Sequence, residues 1–300
     1  MKFPSDALQP AALTEKSWFA VYADLFKARL TALVLLTTFV GFYLGWQGAM
    51  NFVAMFHALF GTALVASGAA ALNQLLEREH DAKMRRTADR PLPSGRLQPS
   101  TVAILGGAIS VIGLIYLAVL VNPLTSVLGA VTSISYLFIY TPLKRVTWIN
   151  TLVGAIPGAL PPLMGWTAAR NELSGEGWAL FAILAFWQIP HFMAIAWMYR
   201  DEYAKAGFVM LPNVDAGGSR TAQHSVGNTV ALLVASVCPF AFGLNGKIYL
   251  AVALVLGFGF LWCAIQFARQ MTLPRAKKLF FASIIYLSLL IAALVGNKLK

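Results

Sequence analysis

Nine runs of apolar residues, each near the length a helix needs to cross a bilayer, alternate with shorter polar segments along the chain. They predict spanning helices at about 30–46, 52–76, 101–121, 124–141, 149–168, 177–199, 226–244, 248–268 and 279–296. The division between the third and fourth rests on Asn122 and Pro123, a turn signal inside an otherwise apolar stretch. Residues 1–29 read as a polar to mixed N-terminal segment, with Asp6, Glu15 and Asp24 among Lys2, Lys16, Lys27 and Arg29. The first long apolar run begins only near Leu30, so no cleavable signal is expected and the first span stays in place. The pattern therefore predicts an all-α polytopic membrane protein, with one transmembrane domain over 30–300 built of nine helices around a central cavity.

The polar segments have a rhythm of their own. Acids mixed with bases follow span 2 (Glu77, Asp81) and span 6 (Asp201, Glu202). The segments after spans 4 and 8 are basic without acids: Lys144 and Arg145, then Arg275, Lys277 and Lys278. This alternation suggests two four-helix units plus one further helix. Small residues close span 2 (GTALVASGAAALNQ) and would let neighbouring backbones approach. Span 5 carries Pro157, Pro161 and Pro162 among glycines, which predicts a bent or broken helix.

Composition agrees with this setting: 58% of residues are hydrophobic and only 12% charged, too apolar for a soluble domain. The net charge of +11 could suggest nucleic acid, but nineteen of the 23 Lys and Arg fall on one side of the nine-span division. That bias is the topological one, and no nucleic-acid partner is expected. It places the N-terminus in the cytoplasm and the C-terminus outside, across what is expected to be a bacterial inner membrane. Cys238 and Cys263 lie within apolar runs and form no disulfide or metal pattern.

The densest chemistry is NQLLEREHDAKMRRTADRP, residues 73–91. Asn73, Glu77 and Asp81 are four apart, so on a helix they stack as three rungs of oxygen donors. Such hard donors suit Mg2+, which is commonly shared with substrate phosphates. Arg85, Arg86 and Arg90 follow, and guanidinium groups grip phosphate oxygens. A metal-diphosphate site is the reading that uses both; the alternative is a solvated loop whose bases only fix orientation.

Beyond span 6, Asp201 and Glu202 could supply a second set of oxygens from across a cavity, for one or two Mg2+ in all. Lys144 and Arg145, just beyond Tyr140 and Pro142, could close an anion clamp or simply mark a cytoplasmic helix end. Gln188, Pro190 and His191 interrupt the apolar run of span 6, and a polar residue at that depth is a functional candidate. His191 could meet a substrate or only bond a neighbouring helix. His57, His80 and His224 share no ligand spacing.

The block NQLLEREHDAKMRRTADRPLPSGR fits the pattern NxxxExxxDxxMxRTxxRPxxxG, and so resembles the protohaem IX farnesyltransferase (haem O synthase) branch of the UbiA-type prenyltransferases. YTPLKRVTWINTLVGAIPGALPPLMGW, PHF and DEYAKAGFVMLP resemble further blocks of that branch, in order, across about 25–220. The resemblance implies transfer of farnesyl from farnesyl diphosphate to the 2-vinyl group of haem B, giving haem O, with haem B a substrate rather than a cofactor. It implies Mg2+ on Asn73, Glu77, Asp81 and Asp201, diphosphate on Arg86, Arg90, Lys144 and Arg145, and haem near His191. The family's second motif, usually two acids four apart, is incomplete, since Lys205 stands four after Asp201. A sister enzyme acting on an aromatic or quinone precursor, or a transporter with the same span count, are the alternatives. Partners beyond substrates and lipid would be a haem A synthase or oxidase assembly factors.

Overall fold

A computed structural model describes residues 16–84 and 86–299. Lys2, Asp6, Glu15, Arg85 and Lys300, and with them part of the N-terminal segment, lie outside the described residues. Among those residues nine helices are long and apolar enough to cross a membrane. They are span 1 (Ala28–Gly45), span 2 (Phe52–Asp81), span 3 (Pro99–Leu120), span 4 (Pro123–Leu143), span 5 (Asn150–Arg170), span 6 (Gly175–Met198), span 7 (Ser219–Ala241), span 8 (Lys247–Arg269) and span 9 (Leu273–Gly296). All nine expected spans are present, and the largest shifts are at polar ends. Span 2 runs to Asp81, because NQLLEREHD is built of good helix formers and stays helical after hydropathy has fallen.

Successive spans pack side by side, and span 9 returns against spans 6 and 1. Spans 6, 7, 8 and 9 close on themselves around Tyr249, Phe260, Phe267 and Tyr286. On the other side span 1 lies against span 5, and spans 2 and 3 form a close pair. The outer faces remain apolar: Ile104, Val119, Val255 and Ile248 are at least 70% exposed, as side chains facing lipid would be. Buried polar groups bond between helices, as Asn122 Nδ2 does to Thr167 O (2.9 Å) and Ser236 Oγ to Tyr286 Oη (2.6 Å).

Of the bent or broken helix expected for span 5, the break is absent: the helix is continuous from Asn150 to Arg170 through all three prolines. It is the most buried of the nine, and packing on both sides holds it where the prolines remove backbone bonds. Its contact with span 1 is made at the backbone. A Cβ on Gly165 would collide with Thr38 O, and one on Gly41 with Pro162 O.

Two irregular pieces prepare the site. A short helix, Trp18–Leu25, precedes span 1, capped by Ser17 Oγ on Ala20 N (3.3 Å). It buries Val21 and Leu25 against Ala71, Leu92, Leu97 and Val102. Span 4 widens into a π-helical turn over Ser135–Tyr140 before ending at Leu143. Such turns recur at functional sites because the extra residue re-aims the side chains that follow.

Candidate active site

Asn73, Glu77 and Asp81 occupy the last three turns of span 2 and are 0%, 3% and 1% exposed. The carbonyl end of a helix carries partial negative charge, so this position attracts cations. Each rung meets a basic side chain from a different part of the chain. Lys27 Nζ donates to Asn73 Oδ1 (2.5 Å), Lys144 Nζ to Glu77 Oε1 (2.7 Å), and Arg90 Nη1 to Asp81 Oδ2 (2.5 Å). Among the described residues the other carboxylate oxygens, Glu77 Oε2 and Asp81 Oδ1, have no hydrogen-bond partner.

Local structure explains how the three bases arrive. Lys27 sits in the left-handed region (φ 48°) at the corner between the short helix and span 1. Gln74 Nε2, beside the first rung, holds that corner by donating to Asp24 O (2.6 Å) and Leu25 O (3.1 Å). The segment after Asp81 folds back in tight turns, with Thr87 Oγ1 on Asp81 O (2.8 Å), and returns Arg90 to the third rung. Lys144 follows the π turn, its backbone carbonyl accepting from Val209 N (2.7 Å), so the segment after span 6 is stitched to it. Lys144 Nζ also lies over the Tyr140 ring at 4.5 Å. Gly154 makes room for that ring: a Cβ there would lie 2.5 Å from it.

The electrostatics differ between the two lysines. Burial lowers the Lys27 ammonium to a pKa of about 7, helped by the charges of Arg90 and Lys144. Burial also works against Lys144, but Tyr140 and Glu77 outweigh it and hold its pKa above the ordinary value. Lys144 is thus the firm positive charge of the site.

Of the candidate residues, the structure brings Asn73, Glu77, Asp81, Arg90 and Lys144 together. Arg145 lies alongside, its Nη2 donating to Leu76 O (2.8 Å). Arg86 is exposed. Asp201 is not brought against the ladder: its side chain is 86% exposed and its nearest charge is Arg200 (3.8 Å). The short helix Arg200–Lys205 turns Tyr203 inward onto Phe208, in the cluster with Met84 and Met210. At about 100° per residue, a helix with position 203 inward faces 201 outward. Among the described residues, no three His, Cys, Asp or Glu side chains gather as a metal cluster. The ladder has two carboxylates and an amide.

His191 lies on span 6 with Nδ1 2.7 Å from Ser283 Oγ on span 9. It is stacked between Trp187 (4.8 Å) and Phe280 (5.0 Å). The helix-to-helix bond is therefore present, and Nε2 has no bond among the described residues. The other histidines are scattered: His57 on Tyr116, His80 on Phe208, His224 on Trp148.

Sequence reasoning missed Lys27, Tyr136 and Thr141 as site residues. Lys27 looks like one more base before a first span. Tyr136 Oη accepts from Lys27 Nζ (3.1 Å), and Thr141 Oγ1 accepts from Asn73 Nδ2 (2.9 Å) while donating to Tyr136 O (2.8 Å). Those contacts depend on the π turn, which hydropathy does not reveal.

A family model described as the UbiA prenyltransferase family matches residues 34–289. A protein of Solibacter usitatus named protoheme IX farnesyltransferase is 46% identical over 278 residues, covering 90% of this chain and 95% of that protein. A structure described as digeranylgeranylglyceryl phosphate synthase superposes with a TM-score of 0.80 at 14% identity, covering 93% and 98% of the two chains. A UbiA homologue from Archaeoglobus fulgidus bound to GPP and Mg2+ does so at 0.69 and 16%, covering 92% and 99%. At such identities the structures speak for the fold alone.

Proposed function

This chain belongs to the UbiA prenyltransferase family, and from that membership we propose that it transfers the farnesyl group of farnesyl diphosphate to the 2-vinyl group of haem B, with addition of water, giving haem O and diphosphate. The 46% identical relative named for that activity supports the choice of substrates. The observation that carries the reading is the buried ladder with its three bases. It sets a cation-attracting row of oxygens against groups that bind an anion, at the polar end of an apolar bundle.

The residues present fit Mg2+: Glu77 Oε2 and Asp81 Oδ1 are hard oxygen donors not engaged by the protein. When bound there, Mg2+ supplies charge neutralisation for the departing diphosphate. Glu77, Asp81 and Asn73 would hold it. Asp201, exposed in this structure, would serve as a fourth donor. Lys144 and Arg90 bind diphosphate oxygens and stabilise the charge that grows as the C–O bond breaks, with Arg86 and Arg145 at the mouth. Tyr140 and Tyr136 wall the site beside Lys144 and Lys27 and limit water. His191 would contact haem from the seam of spans 6 and 9. The ladder end faces the cytoplasm, and both apolar substrates enter from the bilayer.

Membranes containing the protein, incubated with farnesyl diphosphate, Mg2+ and haem B, are expected to yield farnesylated haem by mass. Chelation should abolish it and Mg2+ restore it. No such product, under conditions where a known haem O synthase makes it, overturns the proposal.

A further inference from the structure

The geometry points to Lys27 as an anion-binding residue that competes with the metal for Asn73, so that the divalent cation and diphosphate load together rather than one after the other. This rests on the ladder being the metal-diphosphate site and concerns how that site is filled.

The amide of Asn73 has a single oxygen, and Lys27 Nζ stands 2.5 Å from it. Mg2+ bonds oxygen at about 2.1 Å. Both on that one oxygen would set the ammonium form of Lys27 within about 5 Å of the metal ion in a buried site, where their repulsion is poorly screened. The Asn73 Nδ2 group cannot take the metal's place, being fixed on Thr141 Oγ1 (2.9 Å). The amide therefore stays oriented, and its oxygen goes to one cation or the other. Glu77 and Asp81 are less constrained, since each carboxylate has a second oxygen beside the one that Lys144 or Arg90 holds.

Charge balance points the same way. Two buried carboxylates already face three bases, and adding Mg2+ alone leaves a surplus of positive charge taken out of water. Diphosphate removes the surplus and offers Lys27 a new acceptor. Lys27 has the reach for such a move: its backbone is held at the corner by Lys27 N on Asp24 O (3.2 Å) and Thr31 N on Lys27 O (3.0 Å), and its four-carbon stem has rotatable bonds that can re-aim the ammonium. Tyr136 Oη, 3.1 Å from the ammonium, gives it a partner on the way.

The test uses the full-length protein in micelles, with Mn2+ as an EPR-visible probe and inorganic diphosphate as the anion, at free concentrations corrected for their complex in solution. In the wild-type protein diphosphate is expected to tighten Mn2+ binding by about tenfold or more. Lys27→Met removes the charge and keeps the stem. It should tighten Mn2+ binding without diphosphate by about tenfold and shrink the effect of diphosphate correspondingly. Lys27→Arg should restore the wild-type pattern, which a purely structural role would not predict. Lys27→Gln serves if the methionine variant does not insert. Equal Mn2+ affinity with and without diphosphate in the wild type, or unchanged Mn2+ affinity in the neutral variants, overturns the competition and leaves the metal site standing. No Mn2+ bound by the wild type under either condition overturns the metal reading of the ladder and the inference with it.

Discussion

The polar ends of spans 2 and 6 carry acids in similar settings, yet the protein treats them differently. Glu77 and Asp81 are buried and each is held by a base from elsewhere in the chain, whereas Asp201 is 86% exposed beside its own neighbour Arg200. Helix phase accounts for much of the difference. Asn73, Glu77 and Asp81 share one face of a continuous helix, and that face looks into the bundle. After Met198 the chain breaks and starts a new short helix whose inward face is given to Tyr203. Acidic residues thus become a site only when their face is turned inward and when bases are brought to compensate the buried charge.

The sharpest way to break this contrast is to remove a carboxylate from each side. Glu77→Ala and Asp81→Ala should each lower formation of farnesylated haem by about a thousandfold, the scale of losing a group that stabilises developing charge, with the protein still inserted. Full activity in either would remove the metal role. Lys144→Met should come next. It leaves Glu77 buried without its base, a loss of about 3–5 kcal/mol for a broken buried pair, read as a lower melting temperature together with lost product. Wild-type stability in that variant would show that the pair is not what holds span 4 to span 2.

Asp201→Asn sharpens the comparison from the exposed side. It is expected to leave the melting temperature unchanged, to raise the Mg2+ concentration needed for half-maximal rate, and to lower activity by about tenfold, far less than the ladder variants. No change in the Mg2+ requirement would confine the donors to span 2. The smallest effect is expected at the seam of spans 6 and 9. His191→Ala should raise KM for haem by up to about tenfold without changing that for farnesyl diphosphate. Ser283→Ala, which removes only the partner hydroxyl, should cost about 1 kcal/mol of stability and leave both KM values alone. Equal kinetic effects in the two variants would make His191 a packing residue.

The nine spans were legible because hydropathy over some twenty residues is a local property, and a bilayer imposes it on every crossing segment. The ladder was legible for a similar reason: the spacing 73, 77, 81 has one meaning on a helix. Span 5 does not break, because burial against spans 1 and 6 supports a helix that local backbone loss at its prolines alone would interrupt. Lys27 was passed over because a base before a first span has an adequate topological explanation. Nothing local says that it folds back 46 residues from its partner.

By itself, then, the order of residues determined how many times the chain crosses the membrane and which oxygens line one helix face, since both follow from short-range periodicity. Only the tertiary structure decided which bases meet those oxygens, and that Tyr203 rather than Asp201 faces inward. Such pairings join segments distant in the chain, and they are set by the packing of whole helices and by the requirement that a buried charge find a partner.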